Sequence, residues 1–518
     1  MSKTKEKLLK KQAQREAKLQ DGENNGVAIR VPHPYIPYIK KEKRDAMPNR
    51  KSEFKTVEEE KNARQAAVES QIMVFRRMLP RILKGISNIK DPRRKGSVKH
   101  KMRVLMLYGI LMFVHQIASR RKVNDKMTKP EFVETMRAIF PEIDTIPHAD
   151  TLADLLEVME VDRLEDITVD LIRELMRNKK FIRSLQDRRY IVAVDGSGKY
   201  SRDWQFSTEC LHKKKREGGG KKYFVYVLEA ALILGNGVSL PFMSEFLNNG
   251  EYDFSDRDKK QDCELKAFKR LADRLKKNFP GIRLVLVLDG LYPNGPIFRI
   301  CRKYNWDFMI TLKDGSLKDV WDDAKGIRKL EPENTRKQVY GNREQDFWWA
   351  NQVEHRYEYI NEQGKKISRT EKIHVVVCNE SWIEHTRDGD VLKKVKFAWV
   401  SDVEITLKNV HRRCNLIGRY RWFIENNVLQ VEKCRGYNYE HSYSYNWNAM
   451  KGFHHLMHIA HILNNLVLNT EYLWEYVKKH GFGNTLEFLY ETWIGRWIDG
   501  EKVERLIKED NWQLRFVF

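Results

Sequence analysis

Short apolar runs separated by polar stretches dominate the middle of the chain. Residues 190–196 read YIVAVDG, 223–234 YFVYVLEAALIL, 283–290 RLVLVLDG and 307–313 DFMITLK. Short runs rich in β-branched and aromatic residues predict strands. The unbroken LVLVL at 284–288 predicts a central strand buried on both faces. VSLPFMSEFL follows the second run at 238–247; a helical segment is predicted from Asp262 to Lys277, and a short helix before 307 completes an α/β unit. Residues 315–405 read as β-rich: FWWANQVEHRYEYI, KIHVVVCNES and KVKFAWVSDVEIT are separated by the turn-like NEQGKK and RDGD. A final helical region starts near Asn415, runs through Glu425 and resumes at Asn446–Leu468.

The longest apolar run, Val104 to Ala118, holds 15 residues and includes His115 and Gln116. A membrane span needs about 20, so a buried core helix is predicted instead. The pattern divides the chain into a charged, flexible tail (1–65), a helical basic region (66–185), an α/β stretch (186–314), a β-rich stretch (315–410), helices at 411–470 and a C-terminal helical region (471–518). The tail carries both charge signs and Pro32, Pro34 and Pro37, and lacks the apolar core of a signal peptide.

Charge narrows the function. The 518 residues include 95 Lys+Arg against 72 Asp+Glu, an excess of 95 − 72 = 23. That disfavours an ordinary metabolic enzyme and points to a polyanion, nucleic acid first. Gln71–Pro130 carries 16 basic side chains against two acidic ones, a net of +14, whereas Glu131–Lys180 carries six against thirteen. The first block, with Arg93, Arg94 and Lys95 at its centre, fits a DNA-facing surface, since phosphate neutralisation dominates such affinity. Six cysteines without a CxxC pair suit a reducing cytoplasm.

Two apolar runs end alike, at Asp195-Gly196 and Asp289-Gly290. An Asp just past a buried strand lies at a sheet edge, where α/β folds place their sites. If the strands are neighbours, the two carboxylates converge and repel unless a cation neutralises them. Mg²⁺, with its preference for oxygen ligands and phosphates, suits that arrangement. Glu425, in GRYRWFIENN, supplies a third carboxylate from a helix, with Arg421 four residues before it on the same face and placed for a DNA phosphate.

These stretches resemble the DDE transposases of bacterial insertion sequences, in the insertion-sequence-4-like group. The matching segments are VDGSGKY around Asp195, KQDCE (260–264), LDGLYPN around Asp289, FAWVSD (397–402), RYRWFIENN and CRGYNYEHSYSYNWNAMK (434–451), spread over residues 95 to 470. The resemblance implies an α/β, ribonuclease H-like catalytic core interrupted by a β-rich insertion, with a helical, basic N-terminal DNA-binding region. It implies that Asp195, Asp289 and Glu425 bind Mg²⁺, with Mn²⁺ as a substitute, and that Arg421 and Lys433 contact DNA. Gly418 stands where the group has Tyr, and Lys433 lies eight residues after Glu425 rather than seven. The implied activity is cut-and-paste transposition: binding of terminal repeats, phosphodiester cleavage and joining of 3′-hydroxyls to target DNA. A homodimer on paired double-stranded ends, a cytoplasmic (prokaryotic, chromosomal) setting, no membrane and no nucleotide cofactor complete the expectation. The alternatives are a metal-dependent endonuclease without strand transfer and an inactive DNA-binding protein.

Other signals carry less. His454, His458 and His461 fall at i, i+4 and i+7 on a predicted helix, yet no HExxH is present and Mg²⁺ avoids imidazole; they read as a buried or packing face. Gly218–Lys222 lacks phosphate-loop spacing and reads as a plain or DNA-near basic loop. Asp262 and Glu264 have no role beyond opening a helix. Cys210 and His212 form a CxH pair without further ligands.

Overall fold

A computed structural model describes residues 52–518, apart from 118, 142, 144, 216–218, 251–260, 361–362, 387–388 and 510–513. The first 51 residues of the expected tail lie outside the described residues. The remainder of that tail is already structured from Val57, where the helix Val57–Ser87 begins. Thr56 caps it by accepting the Glu59 amide, and Glu58, Glu59 and Glu60 suit the positive end of its dipole.

The fold is mixed α/β, as the pattern predicts, and forms two compact units. The larger contains Asn49–Leu185, Val192–Ile282 and Trp422–Phe518; the smaller contains Gln186–Ile191 and Arg283–Arg421. No helix among the described residues is long and apolar enough to cross a membrane.

In the larger unit, the helix Met102–Val114 buries every residue except Arg103, because its sequence is apolar all round. It packs on the helix Trp447–Leu468, with Gly109 allowing close approach: a Cβ there would lie 2.8 Å from Leu456. The helices Glu471–His480 and Phe482–Ile494 close over Val57–Ser87. Arg64 donates to the Phe488 carbonyl and the Thr492 hydroxyl, and the indole N–H of Trp493 donates to Gln71 Oε1 at 2.7 Å. Trp493 is wholly buried beside His115, Phe132 and Phe140. Trp493→Ala is therefore expected to lower the stability to urea unfolding by about 3–5 kcal/mol.

Four strands complete this unit: β1 (Tyr190–Arg202, its first two residues in the smaller unit), β2 (Leu211–Lys214), β3 (Lys221–Ile233) and β4 (Ser239–Phe246). Their order is β2-β3-β1, with β4 antiparallel on β3. Asn236, at φ 53°, turns the β3–β4 hairpin. The sequence reading needs one correction here, because the first apolar run does not stop at Asp195. β1 continues through Gly196-Ser197-Gly198 to Arg202, so Asp195 lies inside a strand. The small residues read as a turn, but they admit neighbouring side chains instead of ending the strand.

The smaller unit holds β5 (Leu284–Leu288), β6 (Asp307–Thr311), β7 (Thr335–Tyr340), β8 (Arg343–Ile360), β9 (Lys366–Thr386) and β10 (Gly389–Ser401), in the order β5-β6-β10-β9-β8-β7. β5 and β6 are parallel and every other pair is antiparallel, giving a mixed sheet. β5 is buried throughout, as its unbroken apolar run predicts. The helix Gly295–Tyr304 connects β5 to β6; Asn294 caps its start, and Asn305 ends it in the left-handed region at φ 57°. The β-rich stretch is present, and it also contains a helix that the pattern misses, Lys318–Leu330.

Candidate functional site

Each carboxylate singled out by sequence occupies a defined backbone setting. Asp289 follows the last residue of β5, as expected. Its Oδ1 accepts the Leu291 amide at 2.8 Å, and its Oδ2 lies 3.6 Å from Lys313 Nζ. Gly290 leaves room for the Lys313 chain, since a Cβ there would lie 2.5 Å from Lys313 Cε. Lys313, one residue beyond Leu312 after β6, is a neighbour that sequence reasoning quoted without assigning it a role.

Asp195 is half-buried on β1, and its Oδ1 accepts the Gly196 amide at 2.9 Å. A side chain at Gly196 would collide with the Tyr226 ring at 2.5 Å and with Glu264 Oε2 at 2.8 Å, and Tyr226 donates to that same Glu264 oxygen at 2.9 Å. Glu264 thus stands beside the residue that follows Asp195. Nothing in the KQDCE spacing connects it to a position 68 residues earlier (264 − 196 = 68). Its sequence neighbour Asp262 is occupied otherwise, since Arg270 grips both of its oxygens at 3.1 and 2.7 Å. Burial raises the Asp262 pKa, but the Arg270 hydrogen bonds and charge outweigh it and hold the group below its usual range.

Glu425 lies in the larger unit with Asp195, within a wide π-type turn at Ile424–Leu429; Arg421 is buried at the end of the smaller unit, with Asp289. Such turns often mark functional positions in helices. The segment Arg412–Cys434 is therefore helical but not the regular helix that the i, i+4 reading of Arg421 and Glu425 assumes.

The candidate DNA contacts are unevenly available. Arg93 is held by both oxygens of Asp91, at 2.9 and 2.7 Å, and also donates to the His100 carbonyl. Arg94 and Lys95 are exposed. A cavity of about 410 Å³ is lined by Arg93, Lys99, His100 and His148 with Asp154. Lys433 pairs with Glu440 at 3.4 Å. A basic feature missed as such by sequence is the β2–β3 hairpin. Lys213 lies opposite Lys222, and Lys214 opposite Lys221, all four exposed. Like charges directly across a ladder are destabilising. Gly219 and Gly220, both at positive φ, directly precede β3, whereas Lys221 and Lys222, read as part of a loop, are the first two residues of that strand; Gly218 lies outside the described residues.

His454, His458 and His461 are buried, as a packing face requires. They face Glu229 and Glu432 as well as apolar groups. All six cysteines are free thiols, and Cys210 directs its Sγ to the Ser207 carbonyl.

No protein-family profile matches this chain. A comparison with curated proteins also finds no match.

Proposed function

We propose that the chain is a DDE-type DNA transposase that cleaves the ends of a mobile element and joins their 3′-hydroxyls to target DNA. The observation that carries the DNA-directed part is the β2–β3 hairpin, where four exposed lysines face one another in register. Exposed lysines paired in register concentrate positive charge where backbone phosphates could be bound. The catalytic part rests on Asp195, Asp289 and Glu425. All three are half-buried, and all are oxygen donors, the set that Mg²⁺ prefers. The resemblance in their surrounding motifs adds to this.

The order of elements agrees with a ribonuclease H-like core. Three long strands, β1, β3 and β4, precede the helix Glu264–Asn278, and the parallel pair β5 and β6 follows with its connecting helix. β7–β10 then follow in the order in which this reading expects an inserted β-rich segment. On this reading, Asp195, Asp289 and Glu425 are the residues that would hold Mg²⁺, and the ion would supply neutralisation of charge on the phosphate and its attacking and leaving oxygens. Lys313 balances the charge of Asp289, while Glu264 and Tyr226 wall the strand beside Asp195. Arg94, Lys95 and the hairpin lysines bind backbone phosphates.

The test is incubation of the purified protein with Mg²⁺ and plasmid DNA carrying the repeats that flank the gene. Cleavage at the element ends with joined products is expected. Cleavage alone would leave an endonuclease, and salt-sensitive binding without cleavage would leave a DNA-binding protein. A second expectation concerns the hairpin. Replacing Lys213, Lys214, Lys221 and Lys222 by Gln is expected to weaken binding of all sequences alike. The plot of log affinity against log salt should become shallower by about 2–4, measured by fluorescence anisotropy.

A further inference from the structure

The interior of the larger unit contains a set of ionisable groups that the proposed chemistry does not use. Glu229 projects from β3, Ser244 from β4 and Lys199 from β1; Glu432 and Tyr439 come from the segment preceding the helix Trp447–Leu468, which supplies His454, His455, His458 and His461. All are buried. Glu229 Oε1 lies 3.2 Å from His454 Nε2, and its Oε2 lies 3.7 Å from His458 Nε2. Glu432 Oε1 lies 3.6 Å from His458 Nε2 and 2.7 Å from His461 Nδ1.

We propose that Glu229, His454 and His458 form a site for one divalent transition-metal ion, zinc first, which ties β3 to the helix Trp447–Leu468. The carboxylate oxygen and the two imidazole nitrogens all lie within 4.8 Å of one another. Donors around a tetrahedral zinc ion, at bond lengths near 2.0–2.1 Å, stand about 3.3 Å apart. Glu229 Oε1 stands at 3.2 Å from His454 Nε2, close to that value, and the other oxygen of the same carboxylate, Oε2, stands at 3.7 Å from His458 Nε2.

Two buried atoms point to a missing partner. His458 Nε2 and Glu432 Oε2 each lack a hydrogen bond, a condition that destabilises a buried polar group. The surroundings also suit a metal centre. Ser244 Oγ donates to Glu229 Oε2 at 2.8 Å, Tyr439 donates to Oε1 at 3.3 Å, and His461 holds Glu432, so both carboxylates are oriented from outside. Imidazole donors select zinc, cobalt or nickel over magnesium, which separates this site from the Mg²⁺-binding carboxylates.

Charge supports the same conclusion. Two buried carboxylates face Lys199 and the imidazoles, and a dication neutralises both at once. Lys199 Nζ lies 3.2 Å from His454 Nδ1, while His454 Nε2 lies 2.9 Å from Ser244 Oγ. Coordination through Nε2 of each histidine displaces any proton carried there.

The test uses the full-length protein, dialysed against chelator and titrated with Co²⁺ and then Zn²⁺. One ion per chain is expected, with visible Co²⁺ absorption of a four-coordinate site that Zn²⁺ displaces, and with a higher melting temperature for the loaded protein. Glu229→Gln keeps the shape of the side chain, and His458→Ala removes a donor; each is expected to weaken binding by about tenfold or more. Asp289→Asn is expected to retain the ion, which distinguishes this site from the proposed catalytic one. Wild-type protein with native circular dichroism but no Co²⁺ band overturns the proposal. So does unchanged binding by both Glu229→Gln and His458→Ala.

Discussion

Asp289→Asn is expected to abolish both DNA cleavage and joining while leaving DNA binding intact. The substitution keeps the side chain's size and its Oδ1 acceptor for the Leu291 amide, so β5 and its turn should persist. What it removes is the negative charge beside Lys313. A metal-assisted phosphoryl transfer that loses one carboxylate ligand loses several kcal/mol of transition-state stabilisation, equivalent to about a thousandfold in rate. Asp262→Asn provides the contrast within a neighbouring motif. Its carboxylate is held by Arg270 and braces the start of a helix, so its loss should lower stability and change the rate only about fewfold. Gel-resolved cleavage rates for the two variants, alongside their unfolding curves, separate the roles.

A large effect on stability is expected in the smaller unit, at Arg413. This side chain is 1% exposed and donates to the Phe308 carbonyl and Ser401 Oγ, both at 2.9 Å. It also lies 3.4 Å from Asp402 Oδ1 and 3.8 Å from Asp307 Oδ2. Arg413→Met leaves two buried carboxylates facing each other with one counter-ion removed. Breaking such a buried network by deleting one partner costs about 3–5 kcal/mol.

The sign of its pH dependence follows from Asp402. Burial, then Asp307, push the Asp402 pKa up from 3.8 to about 6 although Arg413 opposes them. A carboxyl whose folded-state pKa is raised favours the fold while protonated and loses that contribution as pH rises through the folded value. Removing Arg413 raises it further. The deficit of Arg413→Met should therefore be larger at pH 8 than at pH 5, as read from urea midpoints at both.

How far the sequence reveals this molecule depends on the range of the interaction involved. β5 was legible because five consecutive apolar residues, Leu284–Leu288, admit few settings other than a strand buried on both faces. The Met102–Val114 helix was legible because its apolar character extends all round. The helix Lys318–Leu330 was not, since its polar, amphipathic sequence sits among strand-like runs and only Val320, Trp321 and Ala324 are buried. The continuation of β1 past Asp195 was hidden by glycines that signal a turn locally, whereas Tyr226 and Glu264 fill the space beside them.

The same distinction holds at the candidate sites. Asp195, Asp289 and Glu425 stood out because each falls in a motif of its own. Lys313 and Glu264 did not, because nothing in their local sequence marks the partner that each meets. The histidine row was visible, but Glu229 precedes His454 by 454 − 229 = 225 residues and is embedded in an apolar run. Only the packing of β3 against the long helix turns a buried histidine face into a set of metal ligands.

The central claim is that one set of carboxylates serves DNA cutting and joining. It is tested most directly with DNA ends already cut to expose the terminal 3′-hydroxyl, mixed with target plasmid, Mg²⁺ and either wild-type or Asp289→Asn protein. Joined products from the wild type, and none from the variant at equal DNA occupancy, are the expected result. Joining at equal rates by both proteins would contradict the assignment of Asp289. Occupancy of the ends without any joining by the wild type would contradict transposition itself.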